Sequence, residues 1–153
     1  MFRKILVATD GSALSDEAAA AAVEFARATN ASMVALSVAE SYVTPVLPDG
    51  GVVVDTRDLD AAFSQAAQQH AGKVEAAARQ AGVPCEAVVR QGYAAHEEIT
   101  AAAREHGCDL IWMASHGRRG LDRLLLGSVA QKVLTYSSIP VLVYRTAAEA
   151  PAR

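Results

Sequence analysis

The chain has 153 residues, 52% of them hydrophobic but only 5% aromatic, and Lys+Arg 14 against Asp+Glu 17 leaves a net charge of −3. That is enough for one domain with a real core and no disulfide or structural metal. A mildly acidic balance is a poor basis for non-specific nucleic-acid binding, so no nucleic-acid partner is expected.

The first predicted element is a strand over residues 4–9, a continuous apolar run such as a strand buried on both faces shows. The run is broken at Asp10 and is too short for a signal segment or a membrane span, so the expectation is a cytoplasmic protein with no membrane partner. Asp10-Gly11-Ser12 is a turn signal, and Ser12 can cap the helix that follows, with Asp16 and Glu17 in its first turn. Leu14, Ala18, Ala21 and Phe25 mark one buried face through about Thr29.

A second strand is predicted over 32–39. Residues 40–57 hold Pro45, Pro48, Gly50 and Gly51 without a clear period; a loop of that length suggests a lid over a ligand. Residues 58–82 read as a long alanine-rich helix, with Phe63, Ala67, Ala71, Val74 and Ala78 inward and Gly82 as its stop. A third strand follows over 85–90, then a helix over 94–105 with Ile99, Ala102 and Ala103 inward, and a fourth strand over 109–114. A glycine-containing segment, 115–127, leads to a short helix Ser128–Tyr136 and a last strand Val141–Tyr144. Residues 1–145 form the domain, and the small, polar residues 146–153 are expected to be a flexible tail. Cys85 and Cys108 each open a strand and read as small buried hydrophobes. His70, His96, His106 and His116 show no metal-ligand spacing.

Alternating strands and helices imply an α/β fold, a parallel sheet covered on both faces. Ligands in such folds bind beyond the carboxyl ends of the strands, where strand order reverses. The informative segment there is Ala114-Ser115-His116-Gly117-Arg118-Arg119-Gly120 through Leu126-Gly127-Ser128-Val129. Glycines let backbone N–H groups approach an anion, and Gly127-Ser128 stands at a helix start that favours phosphate. The helix after Gly127 carries no acid in its opening residues, while Arg118, Arg119 and Arg123 make the approach cationic. Two readings of the residues stand side by side: a phosphate-holding loop, and a flexible loop with solvated arginines.

Gly117, nine residues, then Gly127-Ser128 after an apolar strand resembles the nucleotide-binding branch of the universal stress protein family. The likeness extends to Ile5-Leu6-Val7-Ala8-Thr9-Asp10-Gly11-Ser12, Glu97-Glu98-Ile99, Asp109-Leu110-Ile111 and Pro140-Val141-Leu142-Val143. The resemblance implies a five-stranded parallel sheet in the order 3-2-1-4-5. It also implies an adenine-nucleotide ligand, ATP or AMP, with or without Mg2+, and a stress-response or regulatory role. Carried over residue by residue, Asp10, beside Thr9, holds the ribose or base, and Val38 meets adenine. Gly117, Gly127, Ser128 and Val129 hold phosphates, with His116 and Arg118 beside them. One position departs from the pattern: the family's first motif glycine is Ala114 here. In a left-handed backbone alanine would cost about 1–2 kcal/mol; if the glycine merely makes room, the methyl narrows the pocket.

No catalytic residue is expected. The alternatives are a slow ATP hydrolase, for which the chain lacks GxxxxGK[ST] and clear paired carboxylates, and a family member that dimerises without nucleotide. A phosphoacceptor receiver domain would need an aspartate after the third strand, where Arg90-Gln91-Gly92 stands. The implied strand order puts Val141–Tyr144 at a sheet edge, uncharged until Arg145, so a homodimer through this strand is expected.

Overall fold

The computed structural model describes residues 1–41, 57–117 and 125–146. In chain order the elements are β1 (Lys4–Ala8), α1 (Ala13–Thr29), β2 (Ser32–Glu40), α2 (Arg57–Gln80), β3 (Cys85–Gly92), α3 (Ala95–Glu105), β4 (Leu110–Ala114), α4 (Ser128–Tyr136) and β5 (Val141–Tyr144). The five strands form one parallel sheet in the order β3-β2-β1-β4-β5, as the resemblance implied.

An all-parallel sheet must be covered on both faces, and alternation along each strand divides the side chains between two cores. Ile5, Val7, Met33, Ala35, Leu110 and Trp112 pack under α1 and α2, while Leu6, Val34, Leu36, Ile111 and Met113 pack under α3 and α4. Ile5, Leu6 and Ile111 are completely buried, each stabilising the fold by roughly 1.5–3 kcal/mol over an exposed position. Phe25 of α1 tilts against Trp112 with ring centroids 5.4 Å apart.

The helices begin and end where local chemistry dictates. The Ser12 side chain accepts the Ser15 N–H at the start of α1; of the two expected acids, only Asp16 falls in the first turn. Ser15, Ala19, Ala22, Val23 and Ala26 are buried together with Leu14 and Ala18. Ala21 and Phe25, expected inside, lie at the edge of that face, half-buried. Gly82 ends α2 at φ +75°, donating its N–H to the Arg79 carbonyl (3.1 Å) while Val83 N–H reaches back to Ala78 (2.9 Å). β3 runs two residues further than expected because Gln91 and Gly92 pair with Ala39 and Glu40.

β4 begins one residue later than expected. Asp109 serves instead as a clamp, its carboxylate accepting the N–H groups of Arg3 (2.9 and 3.0 Å) and Lys4 (3.0 Å). Burial works to raise this carboxyl's pKa, but the donors from Lys4 and Arg3 outweigh it and hold the group below its usual value. Cys108 is buried and Cys85 half-buried, and desolvation pushes both thiols up to about 11. They stay protonated near neutral pH, in keeping with a packing role. Among the described residues, no helix is long and apolar enough to cross a membrane.

Candidate functional site

The strand order reverses at β1, which pairs with β2 on one side and β4 on the other. Ala8 is in register with Leu36, and Val7 with Trp112. Thr9 N–H continues the ladder to the Leu36 carbonyl at 2.9 Å. Extending both registers sets Val38, Asp10 and Ser115 abreast at the carboxyl end of the sheet. The folds that bind ligands at such a reversal do so here.

The turn after β1 is built from its own side chains. Buried Thr9 holds Ser15 Oγ at 3.2 Å and accepts the Gly11 N–H at 3.3 Å. Asp10 Oδ1 accepts the Ser12 N–H at 3.0 Å, the short-range bond that lets aspartate close a turn on its own backbone. Gly11 sits at φ +75°, a conformation that side chains disfavour. These bonds fix Asp10, and its other oxygen, Oδ2, occupies the space a Cβ would take at Gly117. Residues 107 positions apart in sequence, the aspartate after β1 and the glycine after β4, are therefore in contact.

The second glycine works differently. Gly127 has φ −61° and ψ 151°, which any residue adopts, so it is not there for a left-handed turn. It is there because a Cβ would lie 3.0 Å from both the Ser115 carbonyl oxygen and His116 Cα. The same approach lets Gly127 donate its N–H to Ser115 at 2.7 Å, drawing the start of α4 onto the end of β4. Ser115 is fully buried, and its Oγ lies 3.2 Å from His116 Nδ1.

What this arrangement presents is the beginning of α4. Gly127 is its cap residue, with no side-chain cap bond and no acid in the first turn. α1, by contrast, has Ser12 and Asp16 at the same place. The first N–H groups of a helix have no intrahelical acceptor and carry its positive end. Ser128 is exposed there and Val129 half-buried, its side chain against the core under α3 and α4. Gly117 is exposed and His116 half-buried. Chemically the site offers backbone N–H donors at one end and a carboxylate at the other.

Val38 is half-buried between buried Ser37 and Ala39, with its side chain on the α3 and α4 side of the sheet. Ala114 is a regular residue of β4, paired with Tyr144, and its methyl belongs to the core beneath α1. Among the described non-glycine residues only Asn30 has a positive φ, so alanine at 114 carries no left-handed strain. Arg118, and the lid expected over 40–57 apart from its ends, lie outside the described residues. Among the described residues, no three His, Cys, Asp or Glu side chains come together as a metal site would require. One neighbour of the turn was not expected from the sequence: the His70 ring, from α2, lies against Gly11, with Cε1 2.8 Å from where a Cβ would be.

The sequence matches the Universal stress protein family over residues 1–145. It is 38% identical over 149 residues to the universal stress protein YxiE of Bacillus subtilis, covering 95% of this chain and all of that protein. A crystal structure of a universal stress protein family member from Burkholderia pseudomallei superposes with a TM-score of 0.74 at 28% identity, covering 94% of this chain and 96% of the other. A universal stress protein crystallised in complex with cAMP superposes at 0.68 with 24% identity, covering 95% and 99% of the two chains, a likeness of fold. With the strand order, the glycine-spaced loop and full-length similarity in agreement, this chain belongs to the universal stress protein family.

Proposed function

We propose that the protein binds an adenine nucleotide, ATP or AMP, at the carboxyl ends of β1 and β4 and acts in stress response or regulation through its nucleotide state. The observation that carries this reading is the start of α4, which has no side-chain cap bond and no acid in its first turn among the described residues, drawn by the Gly127–Ser115 bond to the point where strand order reverses and where Asp10 meets Gly117. In it, Gly127 holds α4 at the phosphates through its bond to Ser115, and the phosphates take the N–H groups of Ser128 and Val129, with the Ser128 hydroxyl, His116 and Arg118 beside them. Asp10 takes the ribose and Val38 the base. The like-folded complex with cAMP makes adenine the natural base to test first. Mg2+ accompanying ATP would rest on phosphate oxygens and water, as that ion prefers.

The same reading makes the protein a cytoplasmic homodimer through β5. The two edges of the sheet differ: β3 carries Glu86 and Arg90, whereas β5 (Val-Leu-Val-Tyr) carries no charge and is half-buried throughout. Uncharged apolar edges are the ones that pair.

The test is mass spectrometry of small molecules released from freshly purified protein, followed by calorimetric titration with ATP, AMP and adenosine. Release of an adenine nucleotide, or saturable binding of ATP, is expected. No released nucleotide and no binding at about 1 mM, weaker than about −4 kcal/mol, would reject the reading in favour of a family member that works without nucleotide.

A further inference from the structure

α2 is the longest helix described, and only part of it covers the sheet. Its buried residues are Ala67, Ala71, Val74 and Ala78, while residues 57–59, 61 and 62 are exposed. His70 marks the level of the helix against the sheet, because its ring lies on Gly11 at the carboxyl end of β1. Residues 57–69 precede it, about 20 Å of helix at about 1.5 Å per residue. Gly11 itself is abreast of Ala39, by continuation of the β1–β2 register, one residue short of the end of β2. The first three turns of α2 therefore project past the carboxyl edge, on the side where Asp10 sits.

The contact at Gly11 is the link between that projection and the turn. The turn is held from within by the Thr9 and Asp10 side chains, and from outside by the His70 ring, which occupies the space a Cβ would fill. Asp10 Oδ1 is committed to Ser12, so the position of Oδ2 follows the turn as a unit. A ligand hydroxyl that engages this carboxylate loads the turn, and the surface the turn bears on is the His70 ring. Beyond that ring lies the more exposed half of α2, and exposed helix ends are the segments whose local stability responds to small loads.

We propose that His70 is a positioning residue of the nucleotide site, seating the Asp10–Ser12 turn and coupling site occupancy to residues 57–66 of α2, which thereby form the surface that reports nucleotide state. This rests on the nucleotide reading above. It assigns to that reading an output: the projecting turns of α2 are ordered differently in the loaded and empty protein.

The experiment is amide hydrogen exchange over residues 57–66, with and without saturating ATP, in the wild-type chain, in His70→Ala and in Gln69→Ala, an exposed neighbour on the same helix. The wild type and Gln69→Ala should show a clear change in protection on adding ATP. His70→Ala should bind ATP about tenfold more weakly and, once saturated, show no change over 57–66. His70→Leu, which keeps bulk but not the ring, serves with the same outcomes if the alanine variant does not fold. An ATP-bound wild type with unchanged exchange over 57–66, or a His70 variant that still shows the full change, overturns the coupling while leaving the nucleotide site standing. Absence of ATP binding by the wild type overturns the nucleotide reading and this inference with it.

Discussion

Gly127 offers the sharpest perturbation, because the cost of filling it can be read from atoms that cannot move. A Cβ at this position would stand 3.0 Å from the Ser115 carbonyl oxygen, 3.0 Å from His116 Cα and 3.3 Å from His116 Cβ. Ser115 cannot yield, since its own N–H is tied to the Tyr144 carbonyl at 2.9 Å. Relief must come from α4, whose start would be pushed off β4 with loss of the 2.7 Å bond from Gly127 N–H. Overpacking of this kind typically costs about 1–3 kcal/mol, and the backbone angles add nothing because they suit any residue. Gly127→Ala should therefore lower stability by about 1–2 kcal/mol and weaken ATP by about tenfold, at about 1.4 kcal/mol per factor of ten. Gly127→Val should do more of both. Gly117→Ala is the contrast: there the added methyl meets the Asp10 carboxylate in an exposed loop. It should cost binding with little stability. Urea denaturation and calorimetry with ATP measure the two effects separately. A Gly127→Val protein with the wild-type midpoint and wild-type ATP affinity would refute the reasoning.

Asp10→Ala should weaken ATP and adenosine by a similar factor, about 1.5–3 kcal/mol for a charged acceptor on a hydroxyl; a loss confined to phosphate-bearing ligands would instead assign Asp10 to a metal. Val141→Lys or Leu142→Pro should give a monomer by light scattering at micromolar concentration, and a dimer that persists in both would move the interface away from β5. Asp109→Asn should lower stability at neutral pH by about 1 kcal/mol, the clamp being partly exposed to solvent. The sign follows from its depressed pKa: the contribution is present above the ordinary value of 3.8 and lost as pH falls through the folded value. Denaturation midpoints of wild type and variant should therefore converge in acid, and a difference that holds constant down to pH 2 would contradict the clamp.

Much of the fold was legible because buried strands declare themselves locally. Ile5-Leu6-Val7 and Leu110-Ile111-Trp112-Met113 are continuous apolar runs, as a sheet covered on both faces requires. The inward face of α1 was harder. Five consecutive alanines, residues 18–22, give little contrast around the helix, so the pattern puts Ala21 and Phe25 inside although they sit at the edge of the buried face. Gln91 and Gly92 look like a loop in sequence; their strand character comes from pairing with Ala39 and Glu40, which no local pattern encodes.

The candidate site was legible as a list and not as an arrangement. Spacing singled out Gly117 and Gly127, but not their reasons: one leaves room for Asp10, the other brings α4 onto Ser115 and His116. The departure at Ala114 proved conformationally neutral, because the position is ordinary strand. His70 was invisible in this role. Its relation to Gly11 depends on how α2 lies across the sheet, fixed by packing at Ala71, Val74 and Ala78 rather than by any motif.

The most direct test of the central claim is titration of isotopically labelled protein with ATP, followed by the backbone amide resonances. Amides at Gly117, Gly127, Ser128 and Val129 should shift with the phosphates. Those of Asp10, Gly11 and Ser12 should shift with the nucleoside, and adenosine alone should move only this second group. Cys85, Cys108 and Asp109, at the amino end of the sheet, should stay still. Saturable shifts confined to that amino end, or no shift at Gly127 and Asp10 at any ATP concentration, would contradict a nucleotide site at the carboxyl ends of β1 and β4.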